Sequence, residues 1–341
     1  MRCQKLLEKF KEKILIYKYP RRIIKFVWYL VSFRLFTVIN NYGGLKAIAK
    51  FLLSPENHIS PLLNDYSLVV PFNYSAHTFN PSIAVICHLF YVELSHEISS
   101  YLANIPYGFD LYITTDTPQK KLYIENTFAA WNKGTLEVRL APNRGRDIAP
   151  KIVTCKDVYS AYEFVLHIHT KKSPHLMVNN GWNTYILDTL LGSKEIVASI
   201  LEAFNQDERL GMIAPQHYSK IRACVGWSYN IKMAKKFLKR QLKIPFLDAI
   251  DFPSGSMFWA RTAALKPLLK LNLKVEQFAK EKGQLDGTLA HVIERVYFLV
   301  CEKAGFKWIK IASRAKEEAL IRSIDIEDQK QLVWAIQQVQ K

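Results

Sequence analysis

Residues 83–91 read IAVICHLFY, an apolar run of strand length, and they open a series. Residues 109–114 (FDLYIT), 136–140 (LEVRL), 164–169 (FVLHIH) and 211–215 (GMIAP) continue it, while 92–104 and 118–131 have the spacing of helices. Short apolar runs without strict alternation read as strands buried on both faces. Strand, helix, strand, helix in this order predicts an α/β fold: a Rossmann-like, mostly parallel sheet flanked by helices, with right-handed crossovers. The ligand site of such a sheet lies outside the carboxyl ends of its strands, so the informative residues are expected just after each one.

The composition agrees. With 341 residues, 49 % hydrophobic, 13 % aromatic and 23 % charged, the chain is long enough for a full core and is neither disordered nor fibrous. Lys and Arg number 47 against 30 Asp and Glu, and the charge of +17 favours phosphate-bearing partners. Cys3, Cys87, Cys155, Cys224 and Cys301 stand singly, which suggests a reducing compartment. No apolar leader with a small-residue cleavage site follows Met1, so secretion is not expected. Residues 66–92 carry no Asp, Glu, Lys or Arg, yet Pro71, His77, Pro81 and His88 interrupt them, and no membrane span is expected there.

Residues 1–50 hold twelve basic residues against two acidic ones, interleaved with aromatics such as Tyr17, Phe26, Trp28, Phe33 and Phe36. Such a segment suits the headgroup layer of an anionic membrane surface, at about 1 kcal/mol per cation. A solvated basic helix packed on the main domain is the alternative. The expected organisation is a basic aromatic region over 1–80, a catalytic domain over 81–312 and a C-terminal helix over 313–341.

The strand ends carry chemistry. Asp116 follows the second strand, where an acidic residue commonly holds a ribose hydroxyl, although capping the next helix is as ordinary a role. After the third come Asn143, Arg144, Gly145, Arg146 and Asp147. Gly145 permits a tight turn there, and the two arginines offer donors to a diphosphate. Asp147 would orient an arginine or touch the ligand. The fourth strand ends in His167 and His169, on one face, followed by Lys171, Lys172 and His175. A metal bridging the histidines is one reading, but the adjacent lysines argue against it and for neutralising a pyrophosphate; His167 also fits a plain core position. Residues 252–261 (FPSGSMFWAR) combine small residues with aromatics, as in a sugar-binding wall or an ordinary buried strand. Asp286 stands just before a helix carrying His291, Glu294 and Arg295, as a helix cap or a general base.

NRGRDIAP, LHIHTKKSPH, FPSGSMFWAR and GQLDGTLAHVIER, in this order, resemble the rhamnan synthesis protein F family of glycosyltransferase-like proteins that build bacterial surface polysaccharides. The resemblance implies a GT-A-like fold with a basic helical N-terminal extension. In that pattern Asp116, Asn143 and Gly145 match donor-binding positions, and Asp286 matches the base that deprotonates the acceptor. Where an Asp-x-Asp would hold Mg or Mn, this chain has His167-Ile168-His169. No cofactor is therefore expected, and fixed cations replace the ion. The implied reaction is inverting transfer of rhamnose from dTDP-L-rhamnose to an undecaprenyl-linked glycan, at the cytoplasmic face of the bacterial inner membrane. Arg144, Arg146, Lys171 and Lys172 would stabilise the departing nucleoside diphosphate, with Asp147 and His169 beside them. Trp182, Ser254, Gly255, Ser256, Trp259 and Gln284 would line the acceptor side.

Two other function classes share features with this sequence. A non-catalytic scaffold of a polysaccharide assembly complex would keep the fold. A nucleic-acid-binding protein would explain the charge, but most of the excess is concentrated at the N-terminus, so no nucleic acid is expected as partner. Deleting residues 1–50 is expected to move the protein from the membrane to the soluble fraction on cell fractionation; retention on membranes would refute the anchor.

Overall fold

The computed structural model describes residues 64–77, 79–170, 181–282, 284, 286–316 and 322–339. The expected membrane anchor lies outside them. Among the described residues, nine strands form one sheet: β1 (Tyr66–Val70), β2 (Ile83–His88), β3 (Asp110–Thr115), β4 (Leu136–Leu140), β5 (Phe164–His169), β6 (Leu210–Pro215), β7 (Phe258–Arg261), β8 (Lys307–Ser313) and β9 (Arg322–Ile324). Their order is β4-β3-β2-β5-β7-β6-β8-β1-β9. Every pairing is parallel except those of β7, which runs antiparallel to β5 and β6. The helices are α1 (Ser95–Leu102), α2 (Pro118–Thr127), α3 (Trp182–Leu191), α4 (Lys194–Gln206), α5 (Ile231–Phe237), α6 (Lys266–Leu269), α7 (Leu289–Lys303) and α8 (Gln329–Gln338). The fold is mixed α/β, a mostly parallel sheet between helices.

Both faces of the sheet are covered, which is why its strands read as apolar runs. Along β2, Ile83, Val85 and Cys87 pack with Ile98 and Leu102 of α1, Ile124 of α2 and Phe204 of α4. Ala84 and Ile86, pointing the other way, pack with Ile148, Ile152 and Val296 of α7. Local signals start the helices: Thr117 accepts the Lys120 N–H at 3.3 Å with Pro118 behind it, and Ser193 accepts the Ile196 N–H at 3.2 Å. From there α4 buries Ile196, Ile200 and Phe204 at helical spacing.

All five expected strands are found, three of them with shifted ends. The first apolar run leaves the sheet at His88: Leu89 N–H donates to Thr114 O at 2.8 Å, and Phe90 and Tyr91 turn away toward a cavity. The helix expected over 118–131 stops at Thr127. Three strands, β1, β8 and β9, were not foreseen; β1 lies in the charge-free stretch, and β9 precedes α8 within 313–341. No helix among the described residues is long and apolar enough to cross a membrane.

The strand order places the site. From β2 the chain steps outward to β3 and β4 by way of α1 and α2 on one face. It then returns across the other face, through Ile148, Ile152 and Val158, and re-enters as β5 on the opposite side of β2. This reversal opens a crevice between the carboxyl ends of β2 and β5, whose last residues, His88 and His169, are register partners.

Gly211 in β6 shows how closely helix and sheet approach. A Cβ there would run into Phe306 and lie 2.8 Å from Ala264 Cβ and 2.9 Å from Cys301 Sγ. Gly211→Ala is expected to destabilise the fold by about 1–3 kcal/mol, read as a lower urea midpoint with unchanged slope.

Candidate functional site

A cavity of about 550 Å³ occupies the crevice. It is walled by the end of β2 (His88, Phe90, Tyr91), the loop after β4 (Asn143, Arg146, Asp147), the end of β5 (His169, Thr170), Trp182 at the start of α3, the turn at Ser254, Gly255 and Ser256, and one side of α7 (His291, Glu294, Arg295).

A buried ammonium group joins these walls. Lys151, with no exposed surface, follows Asp147 by one helical turn and lies 3.0 Å from its Oδ2. The same Nζ donates to Ser256 O at 2.9 Å and stands 3.4 Å from His169 Nδ1, which is itself 3.5 Å from Asp147. Burial alone would raise the Asp147 carboxyl, but His169 and the Lys151 ammonium outweigh it and hold the group well below the usual carboxylate range. Burial pushes the His88 imidazole down to about 4, against the pull of Asp147. His88 is therefore neutral near pH 7, with Nδ1 2.9 Å from Thr114 Oγ1.

The loop that carries Asp147 is pinned from the other side. Gly145 has φ +67°, and a Cβ there would sit 2.5 Å from Phe278 Cδ1. Arg144 does not reach the cavity wall: its Nη1 donates to Glu276 O at 3.2 Å and Phe278 O at 3.0 Å, closing the loop against residues 276–280. Arg146 does line the cavity, with Nε 3.6 Å from Glu281 Oε2 and a further bond to Gln284 O. Gln284 itself turns back on the Lys280 carbonyl at 2.7 Å.

The opposite wall is α7. Arg295 sits 3.4 Å from Asp286 Oδ1 and 3.7 Å from Glu294 Oε2. Asp286 also accepts from Asn230 Nδ2 at 2.5 Å; burial works to raise its carboxyl, but Arg295 and Asn230 hold it low. It stands behind Arg295 and is not among the residues that line the cavity. Glu294 does line it, and its Oε1 accepts the Gly255 N–H at 3.0 Å. His291 is 5 % exposed, and burial, then the charge of Arg146, pushes its ring down to about 4 against the Asp286 carboxylate. The Thr288 backbone N–H donates to His291 Nδ1 at 3.3 Å, so the ring proton sits on Nε2, which has no partner among the described residues.

The residues singled out in the sequence thus divide. Asn143, Arg146, Asp147, His169, Trp182, Ser254, Gly255 and Ser256 meet around the cavity. Asp116 stays at the end of β3, paired with Lys120 Nζ at 2.6 Å; Thr117 takes the capping role. Trp259, expected on the acceptor side, is fully buried in β7, because that strand lies inside the sheet, between β5 and β6, with both of its faces covered. His167 lies on the same side as His169 but deeper, fully buried, with Nε2 2.6 Å from Tyr159 Oη. Lys171, Lys172 and His175 lie outside the described residues. No group of three or more His, Cys, Asp or Glu among the described residues is placed to hold a metal ion. Lys151, His88, Glu294, Arg295 and His291 join the site unforeseen, although Asp147 and Lys151, and His291 and Arg295, show the i, i+4 spacing that stacks side chains on one helical face.

A family model described as Rhamnan synthesis protein F matches residues 54–306. The uncharacterized protein WxcX of Xanthomonas campestris pv. campestris, from strains B100 and ATCC 33913, is 34 % identical over 231 residues, which are 67 % of this chain and 32 % of WxcX. The chain thus spans about a third of the length of the curated relatives it matches. Among solved structures, the mannosyltransferase PcManGT from Pyrobaculum calidifontis in complex with GDP-Man and Mn2+ is 10 % identical, with a TM-score of 0.40 over 83 % of this chain and 65 % of that one. A 4-diphosphocytidyl-2C-methyl-D-erythritol synthase is 8 % identical, with a TM-score of 0.32 over 76 % and 99 %.

The neutral His88 makes stability depend on pH. Its folded value of about 4 lies below the ordinary 6.5, so on acidification the unfolded chain takes up the proton first. This contribution is complete above about pH 6.5 and is lost as pH falls toward 4; by pH 5 about 2 kcal/mol is gone. His88→Gln is expected to lose that much less stability than wild type between pH 8 and pH 5 in urea unfolding.

Proposed function

The chain belongs to the rhamnan synthesis protein F family, and from that membership we propose that its cavity transfers a sugar from a nucleotide-sugar donor to a hydroxyl of a cell-surface polysaccharide. The family supports a sugar-transfer role. One observation carries the assignment to this cavity: it lies at the strand-order reversal, and its walls mix the rings of Trp182 and Phe252 with fixed polar groups from Asp147, Glu294 and His291. A pyranose offers just these complements, apolar C–H faces for the rings and hydroxyls for the polar atoms.

In this reading the GT-A-like donor side is the wall of Arg146, with Lys171 and Lys172 following β5 in the sequence. Their cations stabilise the charge that develops on the departing diphosphate. The uncharged His291 Nε2–H donates to a sugar or phosphate oxygen. Asp286, which the family pattern suggests as the base, holds Arg295 in place. The donor is dTDP-L-rhamnose, the acceptor is a lipid-linked glycan, and the basic residues 1–50 keep the enzyme at the inner face of the cytoplasmic membrane.

Thermal stabilisation against nucleotide sugars and nucleoside diphosphates, with magnesium, with manganese and with EDTA, tests this. A ligand that binds only the folded state raises Tm by mass action. dTDP-L-rhamnose is expected to raise Tm in EDTA, and Arg146→Ala to weaken its apparent affinity about tenfold, about 1.4 kcal/mol. No shift with any nucleotide would overturn the reading, and a shift that requires metal would overturn the role of the fixed cations.

A further inference from the structure

Behind the cavity wall lies a line of buried polar groups with no role in the chemistry above. Ser254, 8 % exposed, lines the cavity, and its Oγ is 2.9 Å from His217 Nδ1. His217 Nε2 is 2.8 Å from Asp251 Oδ1. The other oxygen of Asp251 takes Lys310 Nζ at 2.7 Å and the Asn64 N–H at 3.0 Å. His217 and Lys310 are 0 % and 1 % exposed. The groups converge because the chain just beyond β6 (His217), the middle of β8 (Lys310) and the segment before β7 (Asp251, Ser254) meet at one place.

The direction of each hydrogen bond follows from the chemistry of its ends. A carboxylate paired with an ammonium group only accepts, so the His217 proton sits on Nε2. Burial and Lys310 lower the ring's affinity for a second proton, with Arg222 adding to them and Asp251 opposing, so the ring rests neutral. Its Nδ1 lone pair then requires the Ser254 hydroxyl as donor, which leaves the lone pairs of Oγ for a hydroxyl in the cavity. The carboxylates of the cavity wall are otherwise engaged: Asp147 by Lys151, Glu281 by Arg146, and Glu294 by Arg295 and the Gly255 N–H.

We propose that Ser254 is a catalytic residue that receives the acceptor's proton and passes its own to His217, with Asp251 as the positioning residue behind them. The inference rests on the sugar-transfer reading and supplies its proton acceptor. As the acceptor oxygen bonds to the anomeric carbon, the bond from that carbon to the diphosphate oxygen breaks, and its electron pair leaves with the nucleoside diphosphate. The acceptor's proton moves to Ser254 Oγ while the Ser254 proton moves to His217 Nδ1, leaving an imidazolium beside Asp251. A weak base suffices, because the acceptor oxygen becomes strongly acidic once it has formed its third bond. Ser254, His217 and Asp251 are similar to a hydrolase triad in residue type only. The Gly255 N–H goes to Glu294 and the Ser256 N–H to Pro253 O, so these two amides are not free to stabilise an oxyanion beside Ser254.

Two measurements on the full chain test this. The first is dTDP release from dTDP-L-rhamnose, to water and to octyl rhamnoside. Ser254→Ala and His217→Gln are each expected to lower turnover about a hundredfold while the Tm shift with dTDP persists. Wild-type turnover in Ser254→Ala or in His217→Gln would overturn the relay. The second needs no donor: ¹⁵N-histidine NMR at neutral pH, with His217 assigned by its absence in His217→Gln. A ring protonated on Nε2 alone, whose Nδ1 resonance moves in Ser254→Ala, is expected. A proton on Nδ1, or a resonance indifferent to Ser254, would overturn the proposal. A wild-type chain that neither binds nor cleaves any nucleotide sugar would instead overturn the transfer reading, and with it the reaction assigned to Ser254.

Discussion

The Lys151 ammonium is the group on which the site depends. Taking an unpaired ammonium out of water costs several kcal/mol, so a fully buried lysine is stable only where its partners are fixed. Here the partners are Asp147 from the loop after β4, Ser256 O from the turn before β7, and the ring of His169 at the end of β5. Three segments far apart in sequence must therefore meet at one point. Loss of one member of such a pair strands the other charge, typically at about 3–5 kcal/mol, so this cluster sets the cavity's shape as firmly as the apolar core does.

Around that point the charges of the cavity wall are paired. Arg295 serves both Asp286 and Glu294, and Arg146 serves Glu281. Burial lowers the affinity for protons of His88, His167, His217 and His291, which are kept neutral, and each acts through a defined tautomer or a hydrogen bond to a hydroxyl or carboxylate. Such a site presents directed donors and acceptors, which suits a ligand made mostly of hydroxyl groups. The division of labour follows from burial: where an ion pair is already made, a carboxylate positions, and a hydroxyl backed by a neutral imidazole remains to move a proton.

The fold was largely legible in the sequence, since strands covered on both faces must be apolar along their whole length. β4 and β5 stand where the runs 136–140 and 164–169 place them. β8 was hidden because KWIKIAS carries two lysines, and only the packed structure shows that Lys310 is buried against Asp251. β1 passed unnoticed within a stretch that stands out mainly for lacking charge. The strand-end rule found Asn143, Arg146, Asp147 and His169, because a parallel sheet gathers the ends of its strands on one side whatever their sequence separation.

Sequence by itself determined which kinds of group stand at those ends, and hence the α/β class and the neighbourhood of the site. Tertiary structure decided what each group does. Arg144 and Arg146 differ by two positions, yet one clamps backbone carbonyls and the other faces the cavity. Asp286 has the place of a base in the sequence, but Arg295 and Asn230 hold it; Trp259 has the composition of a sugar wall, but the cover on both faces of β7 buries it. Ser254, His217, Asp251 and Lys310 are ordinary as letters. Their roles come from distances of 2.7–2.9 Å across three segments of chain. Apolar periodicity is local and can be read along a strand, whereas the partner of a buried polar group is chosen by the one packing that leaves it satisfied.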